Sequence, residues 1–201
     1  MRITAEEKAA THQRILDAAI EAFRERGFES TTTRDIATAA DIATGTLFNY
    51  FATKEAIVEF LATQALDRAK SNFKKEVLEG DLAEALFAYI GAELRQLKPL
   101  RKFITPLLET TLSPFAVARH SDSNNQLRAE HMETVGDLAR LHGFPDLSPV
   151  ALQVYWTLYV GVLSFWAVDK SRKQEDTLAL LDQSLAMFAS WLRNEQKQTS
   201  K

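Results

Sequence analysis

Residues 11–55 read THQRILDAAIEAFRERGFESTTTRDIATAADIATGTLFNYFATKE, and the fold follows from them. Ile15, Leu16, Ala19 and Phe23 recur at helical spacing and give a first helix one apolar stripe. Gly27 supplies a left-handed stop, after which Phe28 can fold back onto that stripe. Thr32 stands as N-cap of a short second helix, with Asp35 at its third position. Ile36, Ala37 and Ala40 give this helix a small apolar face. Asp41 falls where a turn is needed, and Asp tolerates left-handed dihedrals better than most residues. Ile42 sets the angle to a third helix, in which Leu47 and Phe51 point inward. Thr44, Gly45, Thr46, Phe48, Asn49 and Tyr50 are left on or near its outer face.

Long helix, short helix, tight turn and short helix is the order by which a helix-turn-helix lays side chains into a DNA major groove. Short polar and aromatic groups on an exposed helix suit base edges, thymine methyls and phosphates. Gly45 removes a side chain and lets the backbone come close to a partner. Any one of these features also fits a helix pair that merely packs. Their conjunction favours nucleic acid.

On these residues the chain resembles the TetR family of bacterial one-component transcription regulators. The matching residues are Ile15-Leu16-Asp17-Ala18-Ala19, Phe23, Gly27-Phe28, Thr32-Thr33, Asp35-Ile36-Ala37, Ala40, Gly45-Thr46-Leu47 and Phe48-Asn49-Tyr50-Phe51 with Lys54-Glu55. They lie in the first quarter of the chain, and the remainder is alike only in length and helical texture. The resemblance implies that Thr33 and Arg34 contact phosphates and that Thr44, Gly45 and Thr46 read bases. It puts Phe48 and Asn49 at the groove wall or on thymine methyls, and makes Tyr50 and Lys54 phosphate anchors. Three positions depart from the family pattern. Asp41 replaces a usual turn glycine, Ala43 a common capping Ser, and Tyr50 a common His. Losing the cap costs about 0.5–2 kcal/mol, and the Tyr50 hydroxyl can still donate to phosphate. These changes are expected to adjust operator choice without abolishing binding.

The chain has 201 residues, 46% of them hydrophobic, enough for a real core and too many for disorder. It has no cysteine, so disulfides and thiolate metal sites are excluded, which accords with a reducing cytoplasm. The N-terminal stretch carries Glu6 and Glu7 with no apolar run, so no signal peptide is expected. Residues 1–54 hold seven Lys/Arg and eight Asp/Glu. A DNA-binding unit this acidic must segregate its charges, with Arg34 and Lys54 toward DNA, and its salt slope should be modest.

Beyond residue 54 the texture is helical throughout, with no strand pattern. A helix over 54–79 has Ile57, Phe60, Leu61, Ala65, Phe73 and Val77 as inner positions, and Gly80-Asp81 breaks it. The next runs to about Leu97, capped by Asp81. Pro99, Pro106 and Pro114 punctuate a shorter region, and the sequence leaves open whether Pro106 begins a helix or kinks one. Ser121 to His142 reads as a helix, Ser148-Pro149 starts another, and Thr177 to Arg193 belongs to the last, followed by a frayed tail. The segment from Val150 to Val168 is apolar almost all round. Gln153, Thr157 and Ser164 interrupt it and its neighbours are amphipathic, so a helix buried on two sides fits better than a membrane span, and no membrane partner is expected.

The fold class expected is therefore all-α: a three-helix DNA-binding domain over 1–53 and a larger helical effector-binding and dimerisation domain over 54–201. The last helix carries a near-heptad stripe of Leu178, Leu181, Leu185, Phe188 and Leu192. With Trp156, Val160 and Leu163 of the preceding helix, it forms the expected homodimer interface, a four-helix bundle across a two-fold axis. The family resemblance implies the same pairing, and a helix-turn-helix needs it to meet two half-sites. A sensor pocket is expected among the aromatics of residues 54–170, which include Tyr89, Phe115, Tyr155, Phe165 and Trp166. The residues singled out are Phe87, Phe103, Trp156 and Tyr159, with His131, Gln153 and Thr157 as polar handles.

Enzymatic readings fare poorly. His120, His131 and His142 share a helix face at intervals of eleven, but neighbours in that series stand about 16 Å apart along the axis, too far to share a metal. Neither a zincin, di-iron, nucleophile-elbow, P-loop nor dinucleotide motif occurs. No cofactor or metal is expected. The expected function is a dimeric, ligand-responsive regulator, a repressor by family habit, released from a palindromic operator by a small-molecule effector. The alternative is a helical small-molecule-binding or adaptor protein without sequence-specific DNA binding, which would leave Thr44, Thr46, Asn49 and Tyr50 without a role.

Overall fold

The computed structural model describes residues 4–73, 80–105, 108 and 122–199. Val77, Pro106, Pro114, Phe115 and His120 lie outside these residues. Among the described residues there are eight α-helices, two short 3-10 stretches and no strand. The helices are α1 (Ala5–Arg26), α2 (Thr33–Ala39), α3 (Thr44–Phe48), α4 (Lys54–Phe73), α5 (Leu82–Leu97), α6 (Asp122–Leu141), α7 (Pro149–Val168) and α8 (Glu175–Thr199). The last helix continues to Thr199, so most of the tail expected to fray is helical.

Two compact units divide the chain. The first is Met1–Ala65 with Leu97–Leu107, and the second is Leu66–Gln96 with Leu108–Lys201. The division falls inside α4, twelve residues past the expected boundary at 53, because Ile57, Val58, Leu61 and Ala62 are buried in the core of the first unit.

In the first unit α1 starts earlier than the motif does. Thr4 accepts from the Glu7 amide and the Glu7 carboxylate accepts from Thr4, a capping box that satisfies two orphan donors. Ile15, Leu16, Ala19, Ala22 and Phe23 are buried on one stripe. Gly27 ends the helix at φ 83°, a conformation that a Cβ disfavours. The chain then doubles back, bringing the rings of Phe23 and Phe28 to 5.2 Å. Thr31 fixes this corner, its hydroxyl donating to the carbonyls of Gly27 and Ala22.

In the second unit α5 and α6 pack with α7 and α8. Asp81 caps α5 by accepting from the amides of Ala83 and Glu84. Ser148 caps α7, with Pro149 in its first turn, as expected from the sequence. Asp169 ends α7 and accepts from Ser171 N–H and from both the amide and hydroxyl of Thr177, tying α7 to the start of α8. These bonds hold its carboxyl well below the usual carboxylate range. Helix α7 is long and apolar enough to span a membrane by length and composition. Its inner side is nonetheless core: Ala151, Tyr155, Trp156, Tyr159, Val160, Val162, Leu163 and Trp166 are buried.

That packing corrects the expected interface. Trp156, Val160, Leu163, Leu181, Leu185, Phe188 and Leu192 are each at most 5% exposed in the single chain, so they have almost no surface to offer a second copy. Only Leu178, at 40%, stays on the surface. The near-heptad stripe of α8 faces its own core. The exposed apolar stripe of α7 is the opposite one, Val150, Val154, Gly161, Phe165 and Val168, with Thr157 and Ser164 between. On α8 the exposed large apolar residues are Leu178, Leu180 and Met187.

Candidate functional site

The geometry of the motif begins at the cap of α2. Thr32 accepts from the Asp35 amide and the Asp35 carboxylate accepts from Thr32 N–H and hydroxyl, which holds the Asp35 carboxyl below its usual range. Arg26 lies 3.4 Å from the same carboxylate. The helix ends in a Schellman motif: Ile42 N–H donates to Ala37 O and Asp41 N–H to Thr38 O, with Asp41 at φ 55°. The aspartate thus adopts the left-handed conformation assigned to it, at a cost that glycine would avoid.

Helix α3 starts at Thr44 with no side-chain cap from Ala43. Leu47 is fully buried and Phe51 nearly so, which turns the opposite side outward. Phe48 is 51% exposed, Gly45 and Asn49 are exposed, and Thr44, Thr46 and Tyr50 are half-buried. Arg34 is exposed and Thr33 half-buried at the start of α2. A Cβ added at Gly45 would meet no atom within 4 Å, and its φ is not positive. Nothing inside the chain requires glycine there, although glycine in a helix costs about 0.5–1 kcal/mol relative to Ala.

Two details were not legible in the sequence. Lys54 Nζ donates to Phe28 O at 2.8 Å and to Glu29 O at 3.4 Å, and sits 4.2 Å over the Phe28 ring. It clamps the α1–α2 corner with two of its three donors. The His12 ring lies tilted 5.0 Å from that of Phe51, edge-on 4.7 Å from that of Phe60 and 6.1 Å from that of Tyr50. Burial lowers its pKa, and it supports Tyr50 from behind. Four acids of this unit, Asp17, Glu21, Glu25 and Asp41, line an open groove of about 560 Å³ beside Arg14 and Arg26.

The expected effector residues separate. Phe103 belongs to the first unit, 1% exposed and 5.2 Å from the Phe23 ring, so it is packing there. Gln153 and Thr157 are exposed on the outer side of α7, where Gln153 accepts from Arg128 and the Thr157 hydroxyl donates to the Gln153 carbonyl. Phe87 is half-buried on α5. Only His131, Trp156 and Tyr159 come together, with the His131 ring 4.2 Å from Tyr159 and 5.9 Å from Trp156. Around them stand Tyr89, Tyr155 and Glu93. His131 Nδ1 lies 2.9 Å from Glu93 Oε1, and Nε2 lies 3.0 Å from the Tyr155 hydroxyl. Glu93 went unnoticed in the sequence, although it falls on the apolar stripe of α5 with Leu86, Ile90 and Leu97. Among the described residues no group of three or more His, Asp or Glu is placed to hold a metal ion.

Comparisons with known proteins converge on this arrangement. Residues 15–61 match the family described as bacterial regulatory proteins, tetR family. The HTH-type transcriptional regulator YvkB of Bacillus subtilis (strain 168) is 32% identical over 132 residues, 63% of this chain and 68% of that one. The HTH-type regulator UidR of Escherichia coli (strain K12) is 39% identical over 74 residues, 37% of each chain. Among solved structures, Thermus thermophilus FadR, a transcriptional repressor in complex with lauroyl-CoA, superposes with a TM-score of 0.68 at 26% identity, covering 88% of this chain and 92% of that one.

Proposed function

The chain belongs to the TetR family of helix-turn-helix transcription regulators, which are not enzymes, and from that premise we propose that it is a homodimeric repressor released from a palindromic operator by a small molecule. One observation carries the DNA side of this reading: the outer face of α3, from Gly45 to Asn49, is exposed and serves no packing purpose in its own unit. On this reading Thr44, Gly45, Thr46, Phe48 and Asn49 address the groove, while Thr33, Arg34, Tyr50 and Lys54 hold phosphates. The first unit is then the DNA-binding domain and the second the effector and dimerisation domain, acting in the cytoplasm.

Dimerisation uses the outer stripes of α7 and α8 in place of the buried ones. Val150, Val154, Gly161, Phe165 and Val168 follow one another at four, seven, four and three residues, all on one helix face, a line that a second copy would cover. Beyond its chain neighbours and its own helix backbone, Gly161 has no atom within 4 Å of a would-be Cβ, so it permits close approach of a partner helix. Release by an effector requires that the ligand bind one head spacing better than the other.

Fluorescence anisotropy on DNA from the protein's own upstream region, against scrambled DNA at two salt concentrations, tests the reading. Tight, sequence-dependent binding with two protomers per site supports it. A well-folded dimer indifferent to sequence would favour the adaptor. A ligand that binds tightly and leaves operator affinity unchanged would remove the switch.

A further inference from the structure

The outward face of α3 carries no charge. From Ile42 to Tyr50 the chain reads IATGTLFNY, without Lys, Arg, Asp or Glu. Gly45, Phe48 and Asn49 are exposed and stand at i, i+3 and i+4, so they share one face of the helix. Thr44 and Thr46 flank Gly45, half-buried. Among the described residues no hydrogen bond engages the Asn49 side-chain amide or the Thr44 and Thr46 hydroxyls. The charges around the helix are committed elsewhere. Asp41 lines the groove shared with Asp17 and Glu21 of α1. Lys54 gives two of its three donors to carbonyls of its own unit, and Arg34 belongs to α2.

Each base pair shows the major groove a distinct pattern, and each pattern suits particular side chains. Guanine O6 and N7 suit Arg or Lys, and cytosine N4 suits Asp or Glu. Neither kind stands on α3. Adenine N6 and N7 suit the amide of Asn, and the thymine methyl suits an aromatic ring or a Thr methyl. Those are the groups that α3 exposes. At five residues the helix is about 7.5 Å long, enough for about two to three base pairs. We propose that α3 reads a core of consecutive A·T pairs in each operator half-site, with Asn49 bidentate to an adenine and Phe48 against a thymine methyl. The inference rests on the reading that α3 enters the major groove, and it names the class of sequence found there. Gly45, on the same face, lets the backbone come close enough for both side chains to reach the base edges.

Selection of bound duplexes from a random-sequence pool by the full chain supplies the operator. Anisotropy is then read on that operator with one base changed at a time. Deoxyuridine in place of thymidine removes only the methyl, and 7-deazaadenine in place of adenine removes only the N7 acceptor. Neither alters the protein, so the test does not depend on a variant folding. One thymine per half-site should lose about fourfold in affinity as deoxyuridine. One adenine should lose about threefold or more as 7-deazaadenine. Phe48→Ala should abolish the first difference and Asn49→Ala the second, which marks the pairs lying under α3. A G·C pair at a marked position, affinity indifferent to both base analogues, or analogue effects that both variants retain overturns the proposal and leaves the repressor reading standing. A pool that yields no enriched sequence sinks both, because α3 then reads nothing.

Discussion

Gly45 of α3 and Gly161 of α7 occupy matching situations in different units. Each lies within a helix, is exposed, and has no atom beyond its chain neighbours and its own helix backbone within 4 Å of a would-be Cβ. Each therefore accepts the backbone penalty of glycine for no internal gain, which points outward to a close partner. The surfaces around them differ in legibility. The Gly45 face could be assigned from sequence because α3 is short and has a single apolar side, Leu47 and Phe51. The Gly161 face could not, because α7 is apolar on both sides and periodicity does not say which side the chain uses for itself.

The largest effect expected breaks the α7 side of this comparison. Phe165→Asp, on the exposed stripe, should turn dimer into monomer at micromolar concentration in sedimentation experiments and lower operator affinity more than a hundredfold. Leu163→Ala, on the buried stripe, should keep two protomers and lose about 2–5 kcal/mol of stability to a cavity. The reverse result would restore the buried residues as the interface.

Next comes the α3 side. Arg34→Ala and Tyr50→Ala should each weaken operator binding by about 1–3 kcal/mol with an unchanged melting temperature, and the Arg34 variant should reduce the salt slope by about 1. Loss of melting temperature in parallel would make these residues packing.

A smaller pair sharpens the glycine argument. Gly45→Ala should stabilise the protein by about 0.5–1 kcal/mol while weakening operator binding. Asp41→Gly should stabilise it by about 1 kcal/mol, since the left-handed turn then costs nothing, and should also strengthen binding by removing a negative charge near the recognition helix. Denaturant melts and anisotropy read the two signs independently.

The smallest effect is in pH. Burial lowers the pKa of His12 in the fold, so the unfolded chain takes up its proton first. Its contribution is present above about pH 6.5 and is lost as pH falls from there through the lowered pKa of the folded state. Thermal melts at pH 7.5 and 5.5 should show a smaller loss for His12→Leu than for the parent. An identical loss would assign the effect to other groups.

The sequence by itself determined the local grammar of the protein. The Thr32–Asp35 capping box, the Gly27 stop, the Asp41 turn and the Ser148–Pro149 start all depend on interactions within a few residues, so a linear reading reaches them. Tertiary structure alone decided which apolar stripe of α7 and α8 is core and that Lys54 clamps a corner twenty-six residues away. It also placed Phe103 beside Phe23, and Glu93 against a histidine thirty-eight residues on. The physical reason is that burial is not directional along the chain: an apolar side chain satisfies any partner that removes water from it, and only the assembled fold specifies the partner.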